Sequence, residues 1–423
     1  MELNEADIES KNVLCLIWTR SNYDSLQAIL RITMATLESL GYCVETFVLG
    51  AEFDLAKLLE LIRSRSWRFA YGMSGVGINI QVQVGNPRLQ PPQNIWQAAR
   101  IPYFDWKCDH PCHNFPVHTV SSRYLMHGYV FPDHAQFSVE HLNTSGMVYP
   151  LHIGLPDPNV FPQIDLPLRA RNGRFLFTKS GGDPAQRRSK WSRFPKIISK
   201  ILNLAADKIA LESLPSVRYV DVINEIGIEN GLIVASTSAL LFELLQELEM
   251  HERSRRATLI VESLLDFPID VYGKDWEHVN FEGKNALRHE TALPFETTLD
   301  SMPKYLGCLN SNPLVERSVH DRCFFSIACG TPSISDRNAF SIATMPKLTD
   351  FNFEHSKESI RGSVERVLDA PDAAIAATIA TRESLEDQYS MRRTMETMIL
   401  LTSNYFALHN FNVTTLPADV STR

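Results

Sequence analysis

Residues 303–340 read PKYLGCLNSNPLVERSVHDRCFFSIACGTPSISDRNAF, and their pattern sets the fold of the chain around them. Tyr305–Asn310 has the apolar character of a short buried strand, and a polar loop through Pro313 carries the chain to a helix. Ser318 with Asp321 three residues later matches a capping box. Phe324, Ile327 and Ala328 give one buried face, and Gly330 then Pro332 end the helix before a strand at Ser333–Ser335. A strand, a loop and a helix start in that order form a seat for phosphate, because unpaired N–H groups and the positive end of the helix dipole favour an anion. His320 and Arg322 in the first turn add donors. The same pattern also fits an ordinary βαβ unit in which Arg322 is solvated and Asp321 is only a cap.

Before this stretch the chain repeats the βα plan. Asn12–Trp18, a helix over Ser25–Leu40 and Tyr42–Leu49 make a β-α-β opening, which implies parallel strands with a right-handed crossover. A helix at Leu55–Arg65 and a strand at Trp67–Met73 follow. Gly75-Val-Gly77 lacks the third glycine of a dinucleotide fingerprint, so it reads as a strand-end loop near a cleft. Tyr129–Phe131 and Met147–Leu155 read as the last strands of this half, and the proline-rich Leu155–Arg171 reads as the linker to the next.

Ile101–His113, IPYFDWKCDHPCH, is the second informative stretch. Cys108, His110, Cys112 and His113 are all possible metal ligands, but tetrahedral sites usually draw on two separated pairs and Pro111 stiffens the segment. The reading adopted is a strand running into a turn, with no metal. Asp105, Asp109 and His110 then fall at the carboxyl end of a parallel strand, where open α/β sheets bind ligands.

The second half restarts at Arg174–Thr178, followed by Lys179-Ser180-Gly181-Gly182-Asp183 and a basic helix start at Gln186–Lys190. A strand entering a Gly-rich turn before a helix can cradle phosphate, although the GK[ST] ending of a Walker loop is absent. Arg187, Arg188 and Lys190 fit a solvated helix face. Ser236–Glu249 and Glu252–Leu265 read as two helices split near the charged run His251–Arg256. Ile269–Gly273 is a strand with Lys274 just past its end, and Ser359–Leu368 and Ala373–Phe406 are largely helical.

With 423 residues, two domains are expected. A net charge of −8 and a pI near 5.9 argue against a general nucleic-acid binder. No apolar run is long enough to span a bilayer, and the acidic MELNEADIESKN start is unlike a signal peptide. Seven scattered cysteines point to reduced thiols and a cytoplasmic protein.

The segment LNSNP…HDRCFFSIACGTPSISD resembles the donor site of the CgeB-type glycosyltransferases, a GT-B group. The IP…D-x-P strand end, the aspartate after YVFP, the Leu-Pro of MVYPLHIGLP and the VYGKDW segment are similar to the same group. The resemblance implies an α/β fold of two Rossmann-like domains facing a cleft, with C-terminal helices crossing back. The divisions would be an acceptor-side domain over 1–160, a nucleotide-sugar domain over 161–395 and a returning tail over 396–423. It implies a nucleotide-sugar donor, a glycan or protein acceptor, no nucleic-acid partner and no metal cofactor. Lys179, Ser180, Gly181, Lys274, Asn310, Ser318, His320 and Arg322 would meet the donor, with Asp109 or His110 as base for an inverting reaction. Many GT-B enzymes hold the donor ribose with a Glu where Phe325 stands here, and Glu316 is out of register with it. A UDP-sugar 2-epimerase and a non-catalytic binding protein share the same architecture.

Overall fold

The computed structural model describes residues 9–18, 25–50, 53–84, 86–142, 146–161, 164–235 and 237–414. The expected helix start at Ser236 and the end of the chain from 415 lie outside the described residues. Side chains are described as far as Tyr405.

Two parallel sheets carry the fold. The first has the order β2-β1-β3-β6-β7-β8, from β1 Asn12–Trp18, β2 Cys43–Leu49, β3 Phe69–Met73, β6 Tyr103–Lys107, β7 Leu125–Tyr129 and β8 Met147–Pro150. A small antiparallel pair, β4 Gln81–Val82 and β5 Gln93–Asn94, stands beside it. The second sheet has the order β11-β10-β9-β12-β13, from β9 Phe175–Thr178, β10 Ile269–Tyr272, β11 Leu287–His289, β12 Gly307–Leu309 and β13 Ser333–Ile334. The central strands β3, β6 and β7 are buried at every position, as expected of strands covered by helices on both faces. Each sheet with its helices forms one lobe.

The polypeptide passes between the lobes twice, and the two crossings touch. Leu155 N–H donates to Tyr389 O and Met391 N–H donates to Leu155 O, both at 2.6 Å. The last helix, Met391–Thr414, then returns to the first lobe. Thr394 Oγ1 donates to His152 O at 2.9 Å and Arg68 Nη2 donates to Ser403 Oγ at 2.6 Å.

Several expected elements differ. The charged run His251–Arg256 does not split a helix, because Ala239–Ser263 is continuous. Its charges are internally paired: Arg255 reaches both oxygens of Glu252 at 2.6 Å and Arg256 Nε donates to the same carboxylate at 2.8 Å. The strand expected at Tyr129–Phe131 ends at Tyr129, and Pro132, well suited to a first helical turn, opens the helix Pro132–His141. Helices Lys196–Glu212 and Tyr219–Glu229, unanticipated, bury Ile198, Ile201, Leu202 and Ile223 in a separate core. Ser318 is not a helix cap. The helix runs Asp321–Ala328 with His320 as its N-cap, while the fully buried Ser318 bonds His152 Nδ1 of the first lobe at 2.9 Å.

Candidate active site

The carboxyl ends of both sheets open onto one cleft of about 700 Å³. From the second lobe, β9 ends at Thr178 and delivers Lys179 and Ser180 to the wall. Two neighbouring loops interlock to hold them there. Gly181 N–H donates to Lys274 O at 2.8 Å, and a Cβ on Gly181 would come within 2.4 Å of Asp275 O. Gly273 has φ +147° and lies so close to Lys179 O that a Cβ would stand at 2.4 Å. Glycine is therefore required on both sides of this contact.

The Asp321–Ala328 helix presents its amino end to the same cleft, with His320, Asp321 and Arg322 in the lining. The approach is rigid. Asp336 Oδ1 accepts from Asn312 N at 2.7 Å, and Asn312 Oδ1 accepts from His320 N at 2.8 Å. Asp321 contacts His320 and accepts from Arg322 N at 2.9 Å. Burial first, then the Arg322 charge beside it, hold the His320 imidazole below its usual range, against the pull of Asp321. Arg322 donates from Nη1 to Thr178 O, while its Nε has no partner among the described residues.

A third cation enters from a segment whose sequence reads as a break between two helices. Arg253, midway along Ala239–Ser263, lines the cleft with Nη2 at 2.8 Å from Glu249 Oε1 and Nη1 at 3.9 Å from Asp109 Oδ1. The signal for it was the charged run His251–Arg256, which marks a helix face and not a break. Lys179, Arg253 and Arg322 repel one another. Burial, then Arg322 and Arg253, push the Lys179 ammonium down to about 7. An anion with several charges would relieve that repulsion.

From the first lobe, Cys108 and Asp109 follow β6 into the lining, beside Val130, Phe131 and Ile153. Asp109 is exposed, with 61% of its side chain open to solvent, and its Oδ1 stands 3.9 Å from Arg253 Nη1 across the cleft from Lys179 and Arg322. His110 turns the other way. Only 3% exposed, it packs against His134 and Phe137 with ring centroids at 4.9 and 4.5 Å, and burial lowers its pKa to about 4. Asp105 is buried within β6, where it contacts Lys107 and accepts from Gly75 N at 2.8 Å.

The cleft thus brings together Asp109, Lys179, Ser180, His320 and Arg322 of the residues singled out in the sequence. Gly181 lies behind them as a turn residue, Lys274 is exposed outside the lining, Asn310 is buried and donates to Ser333 Oγ at 3.1 Å, and Ser318 faces His152. Phe325 is in the core, edge-on to Phe161 and Phe295, and Glu316 accepts from Ala339 N at 3.0 Å. Tyr272, Ala292, Leu293 and Phe295 add an apolar part to the lining.

Residues 253–399, about a third of the chain, match the family model described as Glycosyl transferase-like. In fold the chain is similar to a sucrose-phosphate synthase from Thermosynechococcus elongatus, with a TM-score of 0.51 at 10% identity, over 94% of this chain and 99% of that one. Weaker likenesses include a glycosyltransferase from Rickettsia africae, with a TM-score of 0.46 at 10% identity, over 94% of this chain and 99% of that one. They also include an Anabaena protein, HepE, in complex with UDP and glucose, with a TM-score of 0.48 at 10% identity, over 93% and 99%. No curated protein matches the sequence. The matched domain and the two-sheet architecture define an enzyme class, the glycosyltransferases of GT-B type. The matched segment starts at Arg253 itself and takes in Arg322 and the whole Asp321–Ala328 helix.

Proposed function

We propose that the protein transfers a sugar from a nucleoside-diphosphate sugar to a glycan or protein acceptor, without a metal ion in the reaction, in the manner of the CgeB-like enzymes it resembles. The observation that carries the reading is the meeting of Lys179, Arg253 and Arg322 at the amino end of the Asp321–Ala328 helix, on one wall of the interlobe cleft. As the bond from the anomeric carbon to the diphosphate oxygen breaks, the electron pair leaves with the diphosphate. Preplaced cations and helix N–H groups stabilise that charge where a divalent metal does so in other transferases. The nucleoside end fits the apolar stretch at Tyr272, Leu293 and Phe295.

In this reading the first division, 1–160, is the acceptor side and the second, 161–395, the donor side, and the third, 396–423, returns to the acceptor side as far as residue 414, the last described. Asp109 is the group that would take the acceptor hydroxyl proton in an inverting reaction, since its carboxylate is open to the cleft and faces the donor wall. A cytoplasmic setting is supported by seven cysteines that are all free thiols. No helix among the described residues is long and apolar enough to cross a membrane.

The test is a hydrolysis screen over nucleotide sugars, which identifies the donor without knowledge of the acceptor. Release of a nucleoside diphosphate from one donor, enhanced by an acceptor, is the expected result. Binding of no nucleoside diphosphate in thermal melts, together with no hydrolysis, overturns the proposal.

A further inference from the structure

Outside the cleft lining, the turn after β6 meets the middle of the Ala239–Ser263 helix. There Cys112, His113 and Glu249 bring one thiol sulfur, one imidazole nitrogen and one carboxylate oxygen within 4.8 Å of one another. We propose that these three side chains bind one zinc ion that fastens the first lobe to the second and takes no part in sugar transfer.

The donor set is that of zinc, which accepts sulfur, nitrogen and oxygen together in tetrahedral sites with three protein ligands. The isolated stretch Cys108–His113 lacks a separated second set of ligands, and the fold supplies one as Glu249. Cys112 is 3% exposed and Glu249 1%, so two of the three donors are shielded from water. Glu249 divides its two oxygens. Oε1 is held by Arg253 Nη2 at 2.8 Å, while Oε2 faces His113 Nε2 and stands 4.0 Å from Cys112 Sγ. A carboxylate whose other oxygen is fixed by an ion pair is oriented to act as a metal ligand. The turn is fixed as well, since Cys112 N donates to His110 Nδ1 at 3.2 Å and His113 N donates to His110 O at 2.9 Å.

His113 is the partly exposed member of the three, with 16% of its side chain open, so a water molecule can complete the tetrahedron from that side. On binding, the Cys112 thiol loses its proton to solvent and the thiolate sulfur bonds the ion, with no change of oxidation state.

The experiment uses the full chain, stripped with a chelator and dialysed against zinc, with bound metal measured per chain. Cobalt(II) replaces zinc in a parallel sample, where a near-ultraviolet thiolate-to-cobalt band reports Cys112. One equivalent of zinc and the cobalt band are expected, with binding at least about tenfold weaker in Cys112→Ser and in His113→Gln. The exposed-cysteine variant Cys43→Ser should keep both signals. Absence of bound zinc in the wild-type chain overturns the proposal, as does zinc bound equally by wild type and both variants. If a variant fails to fold in the chelated state, the wild-type stoichiometry and band decide alone. These readouts need no donor or acceptor, so they are independent of the transferase assignment.

Discussion

Arg322 Nη1 donates to the main-chain oxygen of Thr178, so the guanidinium at the start of the Asp321–Ala328 helix is bound to the end of β9, the strand that delivers Lys179. The two parts of the second lobe proposed to hold the donor diphosphate are therefore one unit, and a change at either disturbs both.

Replacement of Arg322 tests that unit. Arg322→Ala should abolish most of the thermal stabilisation that UDP or GDP confers on the wild type, and Arg322→Lys should restore only part, because a point charge cannot hold Thr178 and a phosphate at once. Melting curves with and without nucleotide read the effect. A stabilisation of unchanged size in Arg322→Ala would remove the residue from the donor site.

Lys179 sets the pH dependence. Its ammonium is pushed down to about 7 by burial and by Arg322 and Arg253, so in the free protein it is charged below that pH and increasingly neutral above it. A diphosphate restores the charged form. Nucleotide binding should then take up protons between about pH 7 and 8.5 and weaken as pH rises through this window. Calorimetry in two buffers of different ionisation enthalpy measures the uptake. Lys179→Met should lose it, and a wild type that takes up no protons contradicts the assignment.

Asp109→Asn should lower kcat by about a hundredfold while leaving nucleotide affinity within about threefold, as expected for loss of a general base. His110→Gln, in a packed site outside the cleft lining, should act on stability instead. Rate and nucleotide-binding measurements on the two variants separate them. The reverse pattern, with the His110 variant folded but slow, would reassign the base.

Asp105→Ala should be among the most destabilising single changes in the first lobe. It leaves the fully buried Lys107 ammonium without its partner carboxylate and releases Gly75 N, a loss of about 3–5 kcal/mol for a broken buried pair. Burial already pulls the Lys107 pKa down, which the carboxylate opposes. Asp105→Ala with Lys107→Met should recover part of the loss, as denaturant unfolding would show.

The parallel sheets were legible because a strand covered on both faces must be apolar throughout, and NVLCLIW, FAYGM and FLFT are short and apolar enough to exclude a helix. Lys179 and Arg322 were legible for a related reason, as each sits at a strand end or helix start whose position the local pattern fixes. Arg253 was not. Its role depends on a helix from a distant segment crossing behind the Lys179 loop, and the charges around it looked like a break until Glu252, Arg255 and Arg256 proved to be paired along one helix. Asp109 and His110 were inseparable in sequence, since which of two successive residues faces the cleft depends on the turn after β6. The Ser318 cap failed through a tertiary contact, the bond to His152, that no local spacing encodes.

The paired crossings at Leu155, Tyr389 and Met391 bear on how this enzyme can move. Both connections are stitched together at one point, and the halves also meet where Ser318 bonds His152 and where Glu249 faces His113, so sliding apart would tear that seam and those contacts together. The motion that spares the seam is a rotation about residues 155 and 390, restrained by the other contacts and with the largest travel at the rim farthest from the seam. A label pair placed across that rim would report each turnover, while one placed beside the pivot would stay silent.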